Sequence, residues 1–169
     1  LAKRTVEGDL GVFVNAKNVL ELSNLDELCD AMDCDYDELQ NYIVPIPESK
    51  QERLLSKVLT EMAVKTAIKR HVGNIDYVYG ATGRLEVIRG KDLTFVKYII
   101  GTGGALTKLD SGGEILQKLN VEKQSTQLLP RNAKVLIDND YIMASSGLLV
   151  DKHPQAAMKM MEESLNFKI

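Results

Sequence analysis

Tryptophan is absent, and only 5% of the 169 residues are aromatic. A surface that stacks single-stranded bases needs exposed rings, and this chain has few. Positive charge is not in excess either: 21 Lys and Arg stand against 24 Asp and Glu, a formal net charge of -3. Without a basic stripe interleaved with aromatics, no nucleic-acid partner is expected. The two histidines, His71 and His153, are remote in sequence from the two cysteines, Cys29 and Cys34. A disulfide scaffold would use more cysteines, and a zinc site further ligands close by. The expectation is two reduced thiols in a cytoplasmic protein. No apolar run approaches the roughly 18 residues of a membrane helix, so no membrane association is expected. No charged-then-apolar N-terminal stretch is read in the sequence, so no secretory signal is expected. The first residue is Leu rather than Met, which reads as an internal piece of a longer protein.

What is present is a globular composition, 44% hydrophobic and 27% charged. A chain of this length buries enough surface to fold without metal or disulfide. Residues 3–14, "KRTVEGDLGVFV", read as an extended segment ending in a strand, Val12 to Val14. Capping boxes then predict helix starts at Asn24 with Glu27, Asp35 with Glu38, and Ser49 with Glu52. Between Asp26 and Glu38 lie seven acids and no base, a solvated acidic face or a docking surface for a basic partner. Pro45 and Pro47 break the chain before a long amphipathic helix from about Glu52 to Arg70. Its apolar face comprises Leu54, Leu55, Val58, Leu59, Met62, Ala63 and Ala67. Gly73 is expected to end it in the left-handed conformation.

Residues 76–90 read as a strand or irregular loop, and Phe95 to Ile100 as a buried strand. A glycine loop follows at Gly101-Thr102-Gly103-Gly104. After it come a helix from Gly112 to Leu119, a strand from Val135 to Asp138, a helix from Ala144 to Val150, and a helical tail with Pro154 in its first turn. Strands joined by helical crossovers make the second half α/β with parallel strands. Ligands of such sheets sit at the carboxyl ends of strands, where the glycine loop falls.

The loop fails both common nucleotide fingerprints. Leu106 stands where a dinucleotide fold has its third glycine, and Lys108 is followed by Leu109 rather than Ser or Thr. A plain strand–turn–helix junction remains open on spacing alone.

Three longer blocks carry more: "RTVEGDLG" (Arg4–Gly11), "IIGTGGALTKL" (Ile99–Leu109) and "LIDNDYIMASSGLL" (Leu136–Leu149), with "AIKRHVG" and "RGKDL" in support. Together they resemble the glutamate mutase L protein family, the reactivating factors of adenosylcobalamin-dependent aminomutases. That family belongs to the actin-like ATPase superfamily. The resemblance implies an α/β fold, part of an actin/Hsp70-like (ribonuclease H-like) ATPase lobe with a small helical subdomain. It implies that Gly101, Thr102, Gly103, Gly104 and Ala105 contact the adenosine of ATP or ADP, with the next helix aiming amides toward phosphate. "MASSGLL" would be a connecting helix whose Ala144, Ser145, Ser146 and Gly147 permit close packing. No role is assigned to Glu7 or Asp9, beyond a turn or a contact to metal-bound water.

The superfamily holds the β- and γ-phosphates with two Asp-x-Gly hairpins, and none occurs here. Residues 1–169 are therefore expected to be a fragment of a C-terminal lobe, with 1–20 and 50–169 as large-subdomain core and 21–49 as an inserted helical part. Magnesium ligands are expected outside the chain, which alone would be inactive as an ATPase. The implied partner is a cobalamin-dependent aminomutase, and an exposed edge at Val12–Val14 would favour homo-oligomers. The rivals are a small-molecule kinase of the same fold and a non-catalytic scaffold. Some family members share a label with a DNA mismatch-repair ATPase, but nothing here resembles its nucleotide fold.

Overall fold

The computed structural model describes residues 5–80, 83–121 and 125–168. The chain divides into two compact units, Leu1–Lys69 and Arg70–Ile169. The first is helical and the second mixed α/β, in the order α1 Ala16–Leu20, α2 Leu25–Met32, α3 Tyr36–Asn41, α4 Lys50–His71, β1 Asn74–Gly80, β2 Gly83–Arg89, β3 Tyr98–Gly101, α5 Gly104–Thr107, α6 Gly112–Gln117, β4 Lys134–Ile137, α7 Met143–Leu149 and α8 Pro154–Leu165.

The caps in the first unit form where the sequence places them. Asn24 Oδ1 accepts from the Glu27 amide at 3.5 Å and Asp35 Oδ1 from the Glu38 amide at 2.8 Å. Ser49 Oγ accepts from the Glu52 amide at 3.2 Å, while Glu52 Oε2 accepts from the amides of Ser49 (2.9 Å) and Glu48 (2.7 Å). Those two backbone donors, Ser49 first, hold the Glu52 carboxyl below its ordinary pKa. α4 then contributes Leu55, Leu59 and Ala63 to a core shared with Leu10, Ala16, Val19, Leu20, Leu28, Met32 and Leu39. Thr60 is buried on the same helix, its hydroxyl satisfied by the Ser56 carbonyl one turn back at 2.7 Å. Leu54 lies at the edge of the expected stripe, 40% exposed.

Two expectations about this unit change. Val12–Val14 is not a strand. The chain turns at Gly8–Asp9, Leu10 drops into the core, and Asn15 Nδ2 donates to the Gly8 carbonyl at 2.8 Å. Val14 is left 86% exposed and no strand edge exists there. Arg4, at the head of that block, lies outside the described residues. The domain division also differs, because Leu10 to Leu20 share one core with the helices of 21–49 and with α4 rather than flanking an insertion.

In the second unit, β1 and β2 form an antiparallel hairpin, with Asn74 opposite Arg89 and Gly80 opposite Gly83. The sequence left this stretch between strand and loop; Ala81 and Thr82 at its tip lie outside the described residues. The hairpin base is fixed by a backbone crossing. Gly73 is not left-handed, contrary to expectation. Its N–H donates to the Lys91 carbonyl at 2.8 Å, and a Cβ at Gly73 would come within 2.4 Å of the Arg89 carbonyl oxygen. Gly90, opposite, has φ +93°. Only glycines let two chains pass this closely.

β3 and β4 pair in parallel, Tyr98 with Lys134 through Gly101 with Ile137. β3 starts later than the sequence suggests because Asp92 closes a turn before it. Asp92 Oδ1 accepts from the Thr94 amide at 2.9 Å and the Thr94 hydroxyl at 2.6 Å, leaving Phe95 88% exposed. α6 packs on both strands, with Ile115 and Leu116 buried. α8 packs against β4 and α7, and beyond it Phe167 meets the Tyr98 ring at 5.2 Å and lies beneath the Lys134 ammonium. No helix of the described residues is long and apolar enough to cross a membrane.

Gly73→Ala is expected to destabilise the second unit by about 1–3 kcal/mol, because backbone rather than a pliable side chain occupies the space. Gly113, on α6, meets nothing within 4 Å. Gly113→Ala is expected to be neutral or stabilising by up to about 1 kcal/mol, since alanine favours helix. Urea denaturation of both variants checks the pair; equal effects would refute the crossing as the constraint.

Candidate functional site

The glycine loop lies where expected, at the carboxyl end of β3 and beside the end of β4. Its glycines answer to different constraints. Gly101 is buried, and a Cβ there would meet Leu116 Cδ1 at 2.5 Å and Ile137 Cδ1 at 2.9 Å, so a side chain would require both of those ends to shift. Gly103 precedes α5 with φ 93° and ψ 147°, a region that side chains disfavour. Gly104 has an ordinary backbone, and a Cβ on either Gly103 or Gly104 would meet nothing within 4 Å. The space above these two residues is open. The helix that follows is a single turn, Gly104–Thr107, because the chain bends and Gly112 sits against the Leu106 carbonyl. The implied aim of amides toward phosphate therefore has only one turn behind it, with little aligned dipole.

Sequence reasoning missed the residue that organises this site. Asp138 directly follows β4 and is 1% exposed. Its Oδ2 accepts from the Thr102 hydroxyl at 2.8 Å and the Met143 amide at 3.0 Å. Its Oδ1 accepts from the Ser164 hydroxyl at 2.5 Å and the Ile142 amide at 3.1 Å. Burial, the largest single influence, acts to raise the Asp138 pKa. The bonds from Ser164, Met143, Thr102 and Ile142 together outweigh it, and the carboxyl ionises below its ordinary range. The available signal was an acid ending an apolar strand next to a glycine loop, in "VLID".

Around Asp138 the backbone is also committed. The Asp138 amide donates to the Gly101 carbonyl at 2.9 Å, joining the two strand ends. Asn139 Nδ2 donates to the Ser164 carbonyl at 2.9 Å, and the Asp140 amide to Ser164 Oγ at 3.0 Å. Of the four small residues expected to pack closely, only Ser146 is buried; Ala144, Ser145 and Gly147 are exposed.

The remaining sequence candidates belong to the first unit. Gly8–Asp9 is a turn, whose Asp9 carbonyl accepts from Asn18 Nδ2 at 3.3 Å. Asp26, Glu27, Asp30, Asp33, Asp35, Asp37 and Glu38 are all exposed. Cys29 and Cys34 are free thiols, and burial, then Cys29 and neighbouring carboxylates, push the Cys34 thiol up. Among the described residues, no group of three or more His, Cys, Asp or Glu is arranged to hold a metal ion.

A family model described as "MutL protein" matches residues 1–165. Protein MutL of Clostridium tetanomorphum is 36% identical over 174 residues, covering 97% of this chain and 37% of that protein. The chain thus spans little more than a third of that relative's length. No solved structure matches.

Asp138→Asn puts an amide NH₂ where donors converge, and is expected to cost about 3 kcal/mol at neutral pH. The sign of the pH dependence follows from the depressed pKa. The carboxylate's contribution is complete above the unfolded value of about 3.9 and is lost as pH falls through the lower folded value. The stability gap between wild type and Asp138→Asn should therefore narrow as pH drops below about 4. Urea titrations across that range measure it, and a constant gap would refute an ionised Asp138.

Proposed function

Because the chain belongs to the MutL family, the glutamate mutase L-type proteins, we propose that it forms the adenosine side of an ATP-binding cleft in an accessory factor that reactivates an adenosylcobalamin-dependent aminomutase. The observation that carries this reading is the open backbone surface at Gly103 and Gly104, at the carboxyl ends of two parallel strands. A flat ribose and purine can approach a backbone only where side chains are missing. Ligands of open α/β sheets collect at that end of the strands. In this reading the second unit is part of an actin-like ATPase lobe, Thr102 to Ala105 face the nucleoside, and Gly101 keeps the loop seated against α6. The protein works in the cytoplasm.

The open surface at Gly103 and Gly104 supports an adenosine contact, whereas the Asp138 carboxylate is not free for magnesium. The Asp138 oxygens already accept four hydrogen bonds from the protein itself. This chain's residues therefore bind and orient the nucleoside, and phosphate chemistry is not assigned to them. The same saturation removes Asp138 as the base a kinase would need. Reactivation requires nucleotide to favour one arrangement of the protein over another. ATP and ADP must then differ in affinity between the two states, or neither shifts the balance.

Calorimetric titration of the intact natural protein with ADP and ATP tests the reading. Binding is expected, and Gly104→Val should weaken ADP tenfold or more with an unchanged melting temperature, because its side chain fills only the open space. Gly103→Val should weaken it as well, with loop strain added. Absence of nucleotide binding by the wild type would leave a non-catalytic scaffold as the reading.

A further inference from the structure

The donors around Asp138 can be counted, and the count constrains Thr102. The amides of Ile142 and Met143 can only donate, one to each carboxylate oxygen. Ser164 Oγ accepts from the Asp140 amide, so its own proton goes to Asp138 Oδ1. Asp138 Oδ2 then takes the remaining donor, the Thr102 hydroxyl at 2.8 Å. A carboxylate has about four lone-pair sites, and here four donors fill them. Thr102 itself is exposed and directly precedes Gly103 and Gly104, beside which the space is open. Its proton is committed inward, which leaves only lone pairs to offer a ligand.

We propose that Asp138 makes Thr102 an acceptor-only contact, so that the loop selects a hydrogen-bond donor of the bound nucleoside and turns away phosphate oxygens. This deepens the nucleotide-binding reading and rests on it. The donors a nucleoside offers are its ribose hydroxyls and the exocyclic amine of adenine; phosphate oxygens at neutral pH only accept. An unconstrained threonine would donate or accept as required and could not discriminate. Asp138 is thus a positioning residue, acting through Thr102, and Thr102 a specificity-determining one. A missing partner at such a site costs more than a missing apolar contact, because a polar group is left unpaired.

The test is a binding cycle on the intact natural protein. ADP, 2′-deoxy-ADP, 3′-deoxy-ADP and inosine diphosphate are titrated into wild type, Thr102→Val and Thr102→Ser. Thr102→Val is expected to weaken ADP about tenfold, while Thr102→Ser, which keeps the hydroxyl, stays within about threefold. One of the three analogues should bind wild type about tenfold more weakly than ADP and lose nothing further in Thr102→Val. That analogue identifies the donor: a ribose hydroxyl for either deoxy form, the adenine amine for inosine diphosphate. A loop merely loosened by the substitution would weaken all four ligands by one factor, which overturns the proposal while leaving nucleotide binding intact. Equal ADP affinity in wild type and Thr102→Val overturns it likewise. Wild-type protein that binds none of the four overturns both this inference and the reading beneath it.

Discussion

One buried carboxylate holds the α/β unit's working end together. Asp138 collects donors from the loop after β3, from the start of α7 and from the end of α8, segments 26 to 36 residues away from it on its two long-range bonds. Removing a carboxylate from water is costly, and that cost is recovered only when each oxygen is well paired. The geometry therefore works as a set. Shifting α8 would release Ser164, and shifting the glycine loop would release Thr102, with the charge left short of partners in either case. The loop is held in place by a carboxylate that has no other use for its lone pairs.

Around that point the packing is divided between two faces of a narrow sheet. α6 closes over Gly101, where the absence of a side chain admits Leu116. On the other side, Phe167 packs at a tilt against Tyr98 and receives the Lys134 ammonium over its ring. The positive φ of Asn166 turns the chain out of α8 so that Phe167 reaches that position. The same helix thus brings Ser164 to Asp138 and its following aromatic to the sheet, and the two contacts fix its register against β4.

Local chemistry was the legible part of the sequence. The caps at Asn24, Asp35 and Ser49 depend on residues three apart, and each formed, with Ser49 and Glu52 closing the reciprocal box and Asn24 and Asp35 capping one way. So did the strand, loop, helix and strand order that defines the parallel pair. What failed depended on partners far along the chain. Val12 to Val14 look like a strand because their side chains suit one, but a strand needs a neighbour to hydrogen-bond, and Asn15 instead holds the chain in a turn. Gly73 looks like a helix stop, while its reason for being glycine lies at Arg89 and Gly90. Asp138 was illegible for the same reason. Its partners Thr102 and Ser164 are unremarkable singly, and no spacing rule joins them.

The three loop glycines show why the nucleotide fingerprints did not match. A fingerprint treats glycines as equivalent marks at set intervals, but each here meets a separate demand. Gly101 yields space inward to a leucine, Gly103 supplies a backbone conformation, and Gly104, with an ordinary backbone, leaves the space outward of it open. The loop is better described by where each missing side chain would have pointed than by the interval between glycines.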